Sequence, residues 1–109
     1  MHPMKTIASF LFVVAFATNI HAHEGVIMLH GLCRSAASME KMESALTKAG
    51  FIVLNVDYPS RTAHIEALSE AAIGAALDDE RIAECRKIHF VTHSLGGILV
   101  RSYFKRHSY

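Results

Sequence analysis

The residue whose position best suits chemistry is Ser94, in the stretch KIHFVTHSLGGILVR at residues 87–101. The short apolar run at residues 88–91 is typical of a buried strand, and the apolar spacing from residue 95 to residue 103 is that of a helix. Ser94 is therefore predicted to lie at a tight strand-to-helix corner. Such a corner exposes the serine hydroxyl and places helix N-terminal N–H groups behind it, where they can stabilise negative charge.

Acyl transfer through a serine needs a nucleophile, a base, a group that orients the base, and donors for the oxyanion. By position, Ser94 is the candidate nucleophile, and the N–H of Leu95 at the predicted helix start is a candidate oxyanion donor. The alternative interpretation is that Ser94 only caps the helix through its side chain. The strand before Ser94 and the helix after it favour the nucleophile.

The stretch VTHSLGGILVR resembles the nucleophile elbow of the α/β-hydrolase superfamily. It looks most like secreted lipase and esterase members, including those similar to GPI inositol-deacylases. Thr92 departs from the Gly-x-Ser-x-Gly pattern by standing at its first glycine position. The resemblance extends from about residue 26 to residue 109, which corresponds to the N-terminal half of the family's domain.

The resemblance also implies roles for residues around the elbow. His30-Gly31-Leu32 is similar to the His-Gly-x segment of lipases, which implies that the N–H of Leu32 is the second oxyanion donor. Gly31 would let the backbone approach the substrate, while Gly96 and Gly97 would let the helix pack closely on the sheet. His30 and His93 are expected to support this loop and the elbow.

The triad base and acid are not evident. In the superfamily the acid and the histidine follow the nucleophile, but His107 is the only later histidine and no Asp or Glu follows Ser94. His107 is expected at the far end of the helix, out of reach. His93 is interpreted as a packing residue, and Asp57 as a turn-forming residue at the catalytic edge of the sheet. The chain is therefore expected to be truncated before the acid and the base, and to be nearly inactive.

The pattern of elements predicts an α/β fold in which three parallel strands alternate with three helices, a partial α/β-hydrolase fold. The strands are predicted at residues 25–29, 51–56 and 88–91, and the helices at about 38–49, 63–77 and 95–106. The first strand is a continuous apolar run, so it is expected to be central. The third strand is expected to keep an open edge.

The helix spacing predicts which side chains face the core. Ser38 is expected to cap the first helix and Gly50 to end it. In the first helix the inward residues are predicted to be Met39, Met42, Leu46 and Ala49, and in the second Ile65, Leu68, Ala72 and Ala76.

The N-terminus has the layout of a secretory signal peptide. Lys5 precedes an uncharged apolar run at residues 7–17, and Ala17 and Ala22 offer cleavage sites. A membrane anchor would need about 20 apolar residues, but Asn19 and His21 follow too soon. Residues 1–22 are therefore predicted to be a signal peptide and residues 23–109 an exported hydrolase half-domain.

Composition limits the partners. The 109-residue chain has a formal charge of +1, which the loss of Lys5 would reduce to zero, so no nucleic-acid partner is expected. No spacing of the histidines suits a metal, and no cofactor is expected. An ester or lipid is the expected substrate, with a membrane only as a possible substrate surface, and the oligomeric state stays open. Cys33 and Cys85 are predicted at opposite edges of the sheet, too far apart for a disulfide.

Two further hypotheses compete with an ester hydrolase. The chain could be a secreted, non-catalytic binding or assembly protein that pairs through the open third strand. It could also be a degraded gene product that retains half of the hydrolase fold.

Overall fold

The computed structural model describes residue 21 and residues 23–108. The predicted signal peptide therefore lies outside the described residues, apart from His21. The strands are β1 (Glu24–Leu29), β2 (Ile52–Val56) and β3 (Lys87–Thr92). The helices are α1 (Glu40–Lys48), α2 (Ile65–Ser69), α3 (Ala75–Asp78), α4 (Glu80–Ala83) and α5 (Leu95–Arg106).

The three strands form one parallel sheet in the order β2-β1-β3. The predicted α/β class, with parallel strands alternating with helices, is confirmed. β1 lies in the centre, and its residues from Val26 to Leu29 are at most 2% exposed. A continuous apolar run suits this position because a central parallel strand is covered on both faces.

The main core lies on one face of the sheet. Ile27 and Leu29 of β1 pack there with apolar residues of the helices, including Leu68, Ile73 and Leu99. The register places Phe90 beside Ile27 and Val91 beside Met28. Since neighbouring residues of a strand point to opposite faces, Met28 and Val91 belong to the second face. That face is covered at β1, where Met28 is fully buried, but Val91 is only half-buried.

The first helix differs from the prediction at its start and on its apolar side. A 3-10 turn at Ala36–Met39 precedes α1, and the Ser38 hydroxyl donates to the Ser35 carbonyl (2.7 Å) instead of capping the helix. None of the residues of α1 is buried, and Met42 is 49% exposed. The described residues therefore cover the predicted inward face of this helix only in part: Met39 and Leu46 are half-buried, and Met42 and Ala49 are exposed. Gly50 does follow the helix in the left-handed conformation, at φ 101°.

The predicted second helix is a series of helical turns interrupted by a π segment. Glu70–Gly74 forms the π segment between α2 and α3. Leu68, Ala72 and Ala76 are buried, but Ile65 is 42% exposed, so its predicted inward position is wrong. Ile65 is the first residue of α2 and lies at the rim of the helix layer. The charged connection that follows contains α4. Asp79 caps the N-terminus of this helix, because its side chain accepts a hydrogen bond from the Arg81 N–H (2.9 Å).

The two cysteines are free and lie near opposite ends of β1. Cys33 follows the carboxyl end of this strand. Near the other end, a Cβ added to Gly25 would lie 2.9 Å from the Cys85 sulfur. Burial raises the pKa of the Cys85 thiol, and the nearby Glu84 carboxylate raises it further.

A cluster of ring and carboxylate groups lies at the amino end of the sheet. Glu24 on β1 is bonded to His89 Nε2 on β3 (2.8 Å) and to His21 Nδ1 (3.4 Å). Phe51 stacks on His21, with 4.1 Å between ring centroids, and meets His89 edge-on. The hydrogen bonds from His89 and His21 hold the pKa of Glu24 below its ordinary value. This cluster ties β3 to β1.

In the part of the chain that the structure describes, no three ligand side chains converge on a possible metal position. None of the described helices has the length and hydropathy to cross a bilayer.

Glu24→Gln is expected to destabilise the fold at pH 7 and to lose this effect in acid. A carboxylate whose folded pKa is depressed stabilises the protein above its unfolded pKa, and the contribution disappears as the pH falls through the folded value. Urea unfolding over a pH series should show the wild-type and variant curves converging below about pH 4. Glu40→Gln is the control, because Glu40 is exposed and forms no ion pair with a described residue. A wild-type-to-variant difference that stays constant with pH would contradict this role of Glu24.

Candidate active site

Ser94 lies at the corner between β3 and α5 and is exposed to solvent. Its backbone has φ 53° and ψ −112°, and it is one of two non-glycine residues at positive φ among those described. Such a conformation costs about 1–3 kcal/mol and persists only where the surroundings hold it. Backbone bonds hold it on both sides: His93 N–H donates to the Leu29 carbonyl (3.1 Å), and Gly97 N–H donates to the Ser94 carbonyl (3.0 Å).

The capping interpretation of Ser94 does not fit this geometry. A capping serine has an extended backbone and accepts a hydrogen bond from the first turn of the helix. Ser94 has neither feature, since its side chain makes no cap hydrogen bond. The strained corner therefore presents a hydroxyl that the helix does not use.

The N-terminus of α5 lies directly against the end of β1. A Cβ added to Gly96 would come within 2.5 Å of the Leu29 carbonyl oxygen and 2.9 Å of the Leu29 Cβ. A Cβ added to Gly97 would lie 3.3 Å from the Thr92 hydroxyl oxygen, which is tight but less severe. The Gly-Gly pair thus allows the close approach between helix and sheet on which the corner depends.

The loop after β1 reaches the corner through Gly31. A Cβ on Gly31 would meet His93 Nδ1 at 2.6 Å, so the Gly31 backbone lies against the histidine that precedes Ser94. Within residues 23–108, the N–H groups of Leu32 and Leu95 donate to no protein acceptor. These two N–H groups are the predicted oxyanion donors, a role that stays a prediction.

His30 connects this loop to the end of β2. Its ring is fully buried, with Nδ1 at 2.9 Å from the Gly31 carbonyl and Nε2 at 3.0 Å from the Tyr58 carbonyl. The ring stacks on Tyr58 at a centroid distance of 4.1 Å, and the Tyr58 hydroxyl donates to the His30 carbonyl. Burial raises the pKa of that phenol. Since both ring nitrogens face backbone groups, His30 is placed to brace the loop.

Comparison with known protein families gives one result that accounts for this arrangement. The family model described as "Alpha/beta hydrolase family" matches residues 26–106. The chain belongs to the alpha/beta hydrolase family. No curated protein and no solved structure matches the chain. The match spans β1 through α5, so in this family member it includes the loop at Gly31 and the corner at Ser94.

The catalytic base and acid of a hydrolase have no counterpart beside Ser94 among the described residues. No histidine or carboxylate in residues 23–108 is hydrogen-bonded to the Ser94 hydroxyl. His107 follows the other end of α5, where its Nε2 lies 2.8 Å from Glu70 and its ring stacks on Tyr103. Asp57 accepts from Ala36 N–H (3.1 Å) at 3.9 Å from His30 Nε2. Neither His107 nor Asp57 is hydrogen-bonded to Ser94.

The sequence interpretation missed two residues that position the loop after β1. Tyr58 stacks on His30, and the Ser60 hydroxyl accepts from Cys33 N–H (3.0 Å). Cys33 itself is in the left-handed region at φ 61°. The only sequence signal was the turn composition Asp-Tyr-Pro-Ser after β2, which predicts a loop but not its contact with another loop.

Gly96→Ala is expected to destabilise the protein by about 1–3 kcal/mol, because the added methyl group overlaps the backbone of Leu29. The same change at Gly74 is the control, since its Cβ would meet only Tyr103 at 3.9 Å. Gly74→Ala should therefore be neutral or stabilise by up to about 1 kcal/mol through the lower entropy of the unfolded chain. Thermal and urea unfolding of the two variants provide the measurement. Equal stability of Gly96→Ala and wild type would contradict the close packing.

Proposed function

We propose that this alpha/beta hydrolase is a serine ester hydrolase of the lipase or esterase type. The observation that supports the proposal most directly is Ser94, an exposed serine at positive φ whose hydroxyl makes no capping bond. Strained backbone of this kind clusters at active sites. The N–H groups of Leu32 and Leu95, which have no acceptor among the described residues, supply the second element that acyl transfer requires.

The proposed reaction proceeds through an acyl-enzyme. The Ser94 oxygen attacks the ester carbonyl carbon and loses its proton to a base, while the carbonyl oxygen becomes an oxyanion bound by Leu32 and Leu95 N–H. Collapse expels the alcohol, which takes the proton from the base. Water then attacks the acyl-Ser94 ester and releases a carboxylic acid. His30 positions the donor loop and His93 supports its contact with the corner through Gly31.

The base is the missing component in residues 23–108. Removing the histidine of a serine triad costs about as much activity as removing the whole triad. We therefore propose that the 109-residue chain hydrolyses esters slowly, at a rate set by the oxyanion donors and substrate binding alone.

Ser94→Ala tests the nucleophile. After prolonged incubation with an alkyl fluorophosphonate and imidazole, which supplies a base, peptide mass spectrometry of the wild-type chain should show the adduct on the Ser94 peptide. Ser94→Ala should show none there, and Ser108→Ala, which removes an exposed hydroxyl beyond the far end of α5, should label like wild type. Absence of the Ser94 adduct, or equal labelling of other serines, would contradict the proposed role.

The rate of ester hydrolysis tests whether the chain lacks a catalytic base. Hydrolysis of p-nitrophenyl acetate by the wild-type chain is expected to differ little from that of Ser94→Ala, because a serine without its histidine keeps only residual catalysis. Added imidazole should raise only the wild-type rate once the imidazole background, measured with Ser94→Ala, is subtracted. Rapid Ser94-dependent turnover without imidazole would show that the chain supplies its own base.

The non-catalytic alternative is favoured by one observation. The sheet order β2-β1-β3 leaves β3 with a strand partner on one side only among the described residues, and an open edge can pair with another chain. A folded protein of defined oligomeric state that fails to react with fluorophosphonates would support binding or assembly in place of catalysis.

We also propose that the protein is exported. The support is the basic, apolar and small-residue pattern of residues 1–22, which the described structure does not include apart from His21.

A further inference from the structure

An open groove lies on the second face of the sheet, between α1 and β3. Its volume is about 630 Å³, which is within the usual range for ligand sites of about 300–1,000 Å³. Apolar side chains of the 3-10 turn, α1 and β3 form its walls, among them Met39, Met42, Ala45 and Val91. His93, the residue before Ser94, also lines it. We name this feature the α1–β3 groove.

The apolar walls of this groove have no cover among the described residues. Met42 is 49% exposed although it faces an apolar hollow, and α1 contributes no buried residue to the fold. Methionine is flexible and polarizable, so it adapts to irregular alkyl surfaces. The walls therefore suit an apolar chain without a fixed shape.

Two cations give the groove its polarity. Arg34 and Lys41 line it, and neither forms an ion pair with any residue that the structure describes. No acidic side chain lines it. Glu40 and Glu43 flank Lys41 in the sequence, but neither lines the groove, and Glu43 accepts a hydrogen bond from the Asn55 amide (3.0 Å). The groove thus combines apolar walls with two cations and has no carboxylate among its lining residues.

We propose that the α1–β3 groove binds a single molecule of an anionic amphiphile, with its alkyl chain on the methionine walls and its anionic group on Arg34 and Lys41. Charge complementarity identifies this occupant: a neutral chain would leave both cations unpaired, and a small anion would leave the apolar walls exposed. The inference rests on the proposed ester hydrolysis and deepens it. The proposed substrates are esters that carry both an alkyl chain and a carboxylate or phosphate group.

Binding is measured without turnover, on the full chain carrying Ser94→Ala. Isothermal titration with dodecyl phosphate below its micellar concentration should show one site, and dodecyl maltoside should bind at least about tenfold more weakly, since charge-assisted hydrogen bonds add the difference. Raising the salt concentration should weaken only the binding of dodecyl phosphate. Equal affinity for the two amphiphiles would overturn the assignment of an anionic ligand.

Two matched substitutions locate the site. Met42 and Ile98 are both 49% exposed, but Ile98 lies on α5 outside the α1–β3 groove. Met42→Glu should lower the affinity for dodecyl phosphate at least about tenfold by placing an anion on the apolar wall, and Ile98→Glu should leave it unchanged. Since both residues are exposed, both variants should fold, which circular dichroism checks. Equal effects of the two substitutions would show that binding lies elsewhere.

The cations are tested together. Arg34→Gln with Lys41→Gln should reduce dodecyl phosphate binding to the level of dodecyl maltoside while leaving dodecyl maltoside binding unchanged. Retention of the anion preference in this double variant would overturn the role of both cations.

Other occupants predict different results. A second copy of the chain in the groove would appear in sedimentation as a concentration-dependent dimer that Met42→Glu dissociates, and binding only to phosphatidylglycerol vesicles would indicate a membrane surface. Either result would overturn the proposal. Failure of the proposed function is distinguishable: dodecyl phosphate would then still bind in the groove while fluorophosphonate leaves Ser94 unmodified.

Discussion

The close approach of α5 to β1 is the contact on which the corner depends. Gly96 lies so near the Leu29 carbonyl that a methyl group would overlap it, and the same carbonyl accepts the N–H of His93. One peptide group at the end of the central strand thus fixes the residues on both sides of Ser94. Because β1 is buried on both faces, this anchor is as rigid as the core itself. The positive φ of Ser94 is a consequence of that fixed geometry.

A second constraint joins the loops at the same edge of the sheet. His30 and Tyr58 stack, and each is bonded to the other's backbone carbonyl. The buried His30 ring therefore couples the loop after β1 to the loop after β2. Gly31, in the first of these loops, lies against the His93 side chain. Three separate segments meet in this way without any direct bond to the Ser94 hydroxyl. The Ser94 hydroxyl makes no cap hydrogen bond, and the N–H groups of Leu32 and Leu95 donate to no acceptor among the described residues.

The sequence predicted the features that depend on local pattern. The three strands, the helix Leu95–Arg106 and the position of Ser94 between them all follow from apolar periodicity and from glycine placement. The predictions failed where a distant partner decides. Ser38 is a helix cap by composition, but the helix begins with a 3-10 turn that starts earlier. The Tyr58 contact with His30 spans 28 residues, and no local pattern records it.

The helix α1 is amphipathic in sequence, but none of its residues is buried. Its apolar side predicts that something covers it, but the pattern does not say which part of the molecule does so. The helices α2 and α5 supply the cover on the Leu29 face, while on the other face Met28 is fully buried and Val91 is only half-buried. Among the described residues, the sheet is therefore covered on both faces at its central strand and only partly covered at β3. That asymmetry leaves β3 with one strand partner among the described residues and places the apolar groove beside His93, so an occupant of the groove would lie close to the proposed nucleophile.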